Sequence, residues 1–180
     1  MRFRRLPLIA ALLAAVVGAF LVGRESSPAP VAAAAGPRHD ADTHLSRGHP
    51  SRGLIVVRSA FSAEQTAARL EQAASEGGAA VAADIDHAAA AAQAGLELRP
   101  TRVLLIGNPR AGTPLMQASQ TTGIDLPLKF LIYEDAKGRV LLAYNSARYL
   151  ERRHRIRGQD ELLGMIEDNQ RRLAAAATGS

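Results

Sequence analysis

From residue 53 onward the hydrophobic pattern alternates between the period of a strand and that of a helix. GLIVVRSAF (53–61) is a continuous β-branched run and predicts a strand. SAEQTAARLEQAASEGG follows, with Ser62 placed as an N-cap, Gln65 three residues on completing a capping box, and Gly77-Gly78 as the stop. Leu70 is the large apolar residue of that segment and the rest of the face is alanine, so the helix can lie close to a sheet. AAVAADI (79–85) reads as the next strand, and Asp86 as the cap of a short Ala-rich helix that stops at Gly95. RPTRVLLIGN (99–108) contains a buried strand. LKFLIYEDAKGRVLLAYNSA (128–147) is a hairpin turning over Asp135–Gly138, with Phe130 and Ile132 on one face and Val140, Leu142 and Tyr144 likewise. The last segment, from Tyr149, is helical and bent or broken near Gly158, with Leu162, Leu163, Ile166 and Leu173 at helical spacing.

A β–α–β unit, a further strand, a hairpin and a helix make antiparallel pairing unavoidable. The economical solution is an α+β fold: an antiparallel sheet of four to five strands with helices packed on one face. We place this domain over residues 53–175.

The first 52 residues follow another logic. Arg2, Arg4 and Arg5 precede 18 residues without a charge, ending at Arg24. As a helix that run spans about 27 Å, close to the roughly 30 Å of a bilayer core. Residues 1–24 therefore read as a signal or membrane-anchor segment. The anchor is favoured because the run is long and the best small-residue cleavage site, Ala33 to Ala35, lies well beyond its end. The arginines stay on the cytoplasmic side, which puts the domain in the cell envelope on the extracytoplasmic side. Cleavage would instead make it periplasmic or secreted. Residues 25–52, rich in Pro, Ala, Ser and Gly, read as a flexible linker. His39, His44 and His49 lie there with Asp40 and Asp42 beside them; their spacing of five suits neither a helix face nor a turn, so a solvated linker is favoured over a metal-binding tail.

Composition narrows the chemistry. There are no cysteines, which excludes disulfides, thiolate metal sites and CxxC redox motifs. Aromatic residues make up 4% and Trp is absent, so the core is built from Ala, Leu, Val and Ile. The net charge of +5 suggests nucleic acid at first sight. Residues 1–52, however, hold seven arginines against three acids, and residues 53–180 hold fifteen basic against fourteen acidic residues. A nearly neutral domain is a poor partner for a polyanion, and we expect no nucleic-acid binding.

LLIGNPRAGTPLM (104–116) has most of a phosphate-binding loop, with Gly107, Gly112 and Thr113 at the right spacing, but Thr113 stands where the lysine belongs. Pro109 also removes a backbone donor. We read a turn in which Gly112 precedes Thr113 as N-cap and Pro114 as first helical residue, the helix then running to Gly123. Asn108, Arg110, Gly112 and Thr113 remain candidate ligand-binding residues, because a helix N-terminus favours anions and Arg110 stands beside it. No cofactor or metal site is expected.

His87 is the candidate catalytic residue. At the first position of a helix capped by Asp86, its protonated form is disfavoured, leaving an imidazole able to act as ligand or base. A packing or surface role is the plainer reading. Ser59, Ser119 or Ser146 could enter a Ser–His–Asp triad, but no GxSxG elbow is present. Asp84, Asp125, Glu134 and Asp135 lack diagnostic spacing and suit turns or caps. Arg148, Arg152, Arg153, Arg155 and Arg157 read as a solvated helix face.

IDHAAAAAQAGLELRPTRVLLIGNPRAGTPLM, DLPLKFLIYED and GRVLLAYNSARYLERRH together resemble the domain of unknown function 302 family over residues 53–155. The resemblance implies a TATA-binding-protein-like α+β fold and no assigned reaction; His87 falls in its Asp-His-Ala motif. Fold does not import DNA binding. Two function classes follow. One is an exported or membrane-anchored, non-catalytic module for a small ligand or protein partner. The other is a small acid–base enzyme, or an anion- or metal-binding protein, using His87 and the Gly107–Thr113 turn. A homodimer is one use of an open sheet edge.

Overall fold

The structure, a computed structural model, describes residues 53–180; the predicted membrane segment and linker lie outside the described residues. The elements are β1 (Leu54–Arg58), α1 (Ala63–Glu76), β2 (Ala80–Asp86), α2 (His87–Gln93), β3 (Thr101–Gly107), α3 (Pro109–Ala118), a 3-10 segment (Gln120–Ile124), β4 (Leu128–Glu134), β5 (Val140–Asn145), α4 (Ala147–His154) and α5 (Asp160–Thr178). The five strands form one antiparallel sheet in the order β1-β5-β4-β3-β2, as the α+β reading requires.

Local signals act where the sequence places them. Ser62 accepts the Gln65 N–H at 3.2 Å while the Gln65 side chain accepts the Ser62 N–H at 3.2 Å, a complete capping box. Asp86 accepts the Ala89 N–H at 2.8 Å and starts α2. Gly158 separates α4 from α5. Gly53 is required where it stands: its φ is +111°, and a side chain there would collide with Tyr149. Its carbonyl accepts the Ser146 N–H at 2.8 Å, fastening the start of β1 to the end of β5.

Cross-strand partners share a face of the sheet. Phe130 lies opposite Tyr144 and Leu104, and Ile132 opposite Leu142. This set is buried against Ala67, Leu70 and Ala74 of α1 and Leu173, Ala174 and Ala177 of α5. The alanines bring the helices close to the sheet, and Phe130 stacks obliquely on Tyr144 at 5.3 Å. A second apolar cluster joins Leu115 of α3, Ala147 of α4, Ile156, and Leu163 and Ile166 of α5. The opposite face of the sheet holds Val56, Ile85, Val103, Leu105, Leu131 and Leu141, none of them fully buried.

The register gives the sheet two distinct ends. Ala80 pairs with Gly107 at one, Asp86 with Arg102 at the other, about 20 Å apart at the usual strand rise. At the second end Arg102 hydrogen-bonds Asp84 and reaches Glu71 of α1 at 3.9 Å. Arg102 holds the Asp84 carboxyl below its usual range by hydrogen bonding and charge.

The β4–β5 turn is built on Asp135. Its Oδ1 accepts the Lys137 and Arg139 N–H groups at 2.9 Å each, and its Oδ2 accepts from the Arg139 guanidinium at 2.6 Å. The Arg139 side chain, with those backbone donors, lowers the Asp135 carboxyl to about 2 from its ordinary 3.8. The ionised form is thus favoured in the folded state. Its stabilisation is fully present above pH about 4 and is lost as the pH falls toward 2. Acid titration of unfolding for the protein and for Asp135→Asn should show this: stability falling between pH 4 and 2 in the former, and more weakly in the variant. Parallel curves would contradict the assignment.

Candidate functional site

A cavity of about 680 Å³ opens at the Gly107 end of the sheet. Its floor is Ile106, Leu128 and Phe130 of the sheet. One wall is the first two turns of α3 and the other a stripe of α5, Leu162, Ile166, Asn169 and Leu173, at spacings of three and four that keep one helix face turned inward. Leu126 and Pro127 complete the rim. The cavity lies where the two apolar clusters meet, since Leu128 packs against both.

The Gly107–Thr113 segment lines this cavity, but not as the predicted turn. Helix α3 begins at Pro109, and Asn108 is its N-cap. The Asn108 Oδ1 accepts the Arg110 N–H at 2.9 Å, while Nδ2 donates to the Gly78 carbonyl at 3.2 Å. Thr113 is therefore a mid-helix residue and Pro114 lies inside α3, where its missing N–H leaves the Arg110 carbonyl without a helical partner. Asn108 caps and Pro109 takes the first helical position, for which proline is pre-organised; together they start the helix five residues early. Gly112 lies inside the helix rather than in a turn, and an added Cβ would meet Leu126 Cδ1 at 3.4 Å, an ordinary contact. The helix ends at Ala118, and the 3-10 segment replaces its expected last turn. A single residue links β3 to α3, so there is no loop of backbone donors to cradle a polyphosphate.

Asn108, Arg110, Gly112 and Thr113 all line the cavity, whereas His87 does not. His87 is exposed at the first position of α2, next to the Asp86–Arg102 pair at the other end of the sheet. The two halves of the acid–base reading are thus separated by about the length of a strand.

Arg110 and Arg172 are the charged residues of the lining. Arg172 donates to Asn169 Oδ1 at 3.3 Å; neither arginine meets a carboxylate among the described residues. The neighbouring Arg171, by contrast, is occupied by Glu167 and Asp168. Asn169, Arg172 and Met165 were not singled out by the sequence reading. Helical spacing from Leu162 and Ile166 was the available signal, but it marks burial rather than a binding wall.

His154 was also missed. It is buried, with Nε2 2.6 Å from Asp125 Oδ2 and Nδ1 3.1 Å from Thr121 Oγ1. With the proton on Nε2, the ring donates to Asp125 and accepts from the Thr121 hydroxyl. Asp125 also pairs with Arg153 at 3.2 Å, so it clamps the 3-10 segment to α4 rather than capping a turn. Of the candidate serines, Ser119 donates to the His154 carbonyl at 2.9 Å, not to its ring; Ser146 caps α4, and Ser59 bonds Thr66. None of these residues lines the cavity. In the arginine run, Arg148 reaches Glu167 at 3.8 Å, and Arg152, Arg155 and Arg157 are exposed.

The family model for the domain of unknown function DUF302 matches residues 55–177. The chain belongs to the DUF302 family. A crystal structure of an uncharacterized conserved DUF302 protein from Bacillus stearothermophilus superposes with a TM-score of 0.60 at 22% identity, covering 69% of this chain and 94% of that one. Nearly the whole of that crystallised chain is this one domain. The chain is also 42% identical over 102 residues to the fluoride-specific ion channel FluC 1 of Brucella suis biovar 1 (strain 1330), covering 57% of this chain and 40% of the other. The fluoride-specific ion channel FluC 2 of Brucella melitensis biotype 1 matches at the same identity, with 38% of its length covered. The chain thus spans about two fifths of the length of these curated relatives.

Two substitutions report on the α3 start. Asn108→Ala should lower the unfolding free energy by about 1 kcal/mol as a lost cap, while Thr113→Ala at an exposed helical position should stay within about 0.5 kcal/mol. Urea unfolding of both variants checks the order; a larger loss at Thr113 would restore it as the cap. Asp125→Ala strips the buried His154 of its charged partner and should cost on the order of 2 kcal/mol, measured the same way.

Proposed function

We propose that this DUF302 protein is a non-catalytic binding module, tethered or exported by its N-terminal segment, that takes a small ligand into the cavity between α3 and α5. The carrying observation is the cavity itself: about 680 Å³, walled mostly by apolar side chains, with a few polar groups at its rim. That volume and that mixture are those of small-molecule sites. The sequence-selected residues Asn108, Arg110, Gly112 and Thr113 gather there. His87 lies at the far end of the sheet and its imidazole has no hydrogen bond or ion pair among the described residues, which favours binding over acid–base catalysis. Work beside a membrane is supported by the 18-residue uncharged run near the N-terminus. It is also supported by the likeness to part of proteins named as fluoride channels. Among the described residues no helix is long and apolar enough to cross a membrane.

The absence of Trp offers a direct test. Leu162 is half-buried on the cavity wall and His87 is remote and exposed. Leu162→Trp and His87→Trp, each made in the domain 53–180, give two single-tryptophan reporters. Titration with anilinonaphthalenesulfonate should saturate at one dye per domain and quench the indole of Leu162→Trp by energy transfer several-fold more than that of His87→Trp. Equal quenching, or no stoichiometric binding, would sink the cavity as a ligand site.

A further inference from the structure

We infer that the ligand is a single-chain amphipathic anion, a free fatty-acid carboxylate, bound with its head between Arg110 and Arg172 and its chain in the cavity. This rests on the binding reading above and adds the ligand's class. The lining contains two arginines and no acidic residue, so the cavity carries a positive rim. Both arginines are exposed, at the mouth, and neither is neutralised by a carboxylate among the described residues. Planar guanidinium groups match a carboxylate by paired N–H donors.

Behind the rim the character changes. Met116, Leu126, Pro127, Leu128 and Leu162 line the interior with half-buried apolar surface over a fully buried layer of Leu115 and Phe130, and no charged group lies among them. A compact polar anion would leave that surface unmatched, and a neutral hydrocarbon would leave the arginines unused. A ligand with a charged head and an apolar body satisfies both, the charge staying near water where desolvation costs least. Met165, 55% exposed at the rim, adds a flexible apolar contact able to follow a chain of variable length. At about 680 Å³ the cavity suits one acyl chain rather than the two chains of a phospholipid.

The test is calorimetric titration of the domain 53–180 with decanoate and with decanol, which share a chain and differ in charge, both below their aggregation limits. Decanoate should bind at least tenfold more tightly, and this preference should shrink as salt is raised. Arg110→Gln with Arg172→Gln should bring decanoate to the level of decanol, and Arg110→Lys with Arg172→Lys should restore most of the preference; melting curves of both variants establish that they are folded. Equal binding of the two probes would overturn the anionic class and leave the cavity reading standing. If neither probe binds, and the dye titration fails as well, the cavity reading falls with it. Co-flotation with phosphatidylglycerol vesicles in the absence of decanoate binding would overturn the free fatty acid in favour of a lipid headgroup.

Discussion

The structure depends on one helix being buried along its length against two different surfaces. The C-terminal half of α5 presses Leu173, Ala174 and Ala177 onto the sheet, and its N-terminal half packs Leu163 and Ile166 against α3 and α4. No side chain caps its start, so packing rather than local hydrogen bonding sets its position. Beneath it the sheet cluster and the α3–α4 cluster share Leu128. The cavity opens at that junction between α3 and α5, and the α5 stripe supplies both an apolar wall and Arg172. Site and core are thus consequences of the same contact.

Much of the fold was legible because its signals are local. The Ser62 capping box, the Asp86 cap, the Asp135–Gly138 turn and the alternation of β4 and β5 all lie within a few residues of the structure they direct. The start of α3 was misread because two cap signals compete within six residues. Asn108 prevails over Thr113 since its side chain meets both its own helix and the Gly78 carbonyl, and the second contact is thirty positions away in sequence. Half of the site was visible for the same reason. Asn108, Arg110, Gly112 and Thr113 form one segment, but Asn169 and Arg172 reach it only through tertiary packing. The Asp125–His154–Thr121 clamp spans up to 33 positions and leaves no pattern to find.

The electrostatics follow a similar division. Arg102, Arg139, Arg153 and Arg171 have carboxylate partners that tie strands, a turn and helices together. Arg110 and Arg172 differ in their mostly apolar surroundings and in having no carboxylate partner among the described residues, not in their own sequence context. A formal charge near zero for the domain therefore conceals a local positive rim, which is the quantity a ligand would meet.

Pro114 gives α3 a further property. It removes a rung from the ladder just where the helix walls the cavity, and the turn that precedes it contains Gly112 and is anchored chiefly through Asn108. Local opening is cheapest where few hydrogen bonds must break. The first turn of α3 is therefore the stretch of the cavity wall with fewest hydrogen bonds to break, held to α5 by the packing of Ala111 and Leu115 against Leu163 and Ile166. On the binding reading proposed above, the lifetime of that one helical turn would set how fast a ligand enters and leaves the cavity.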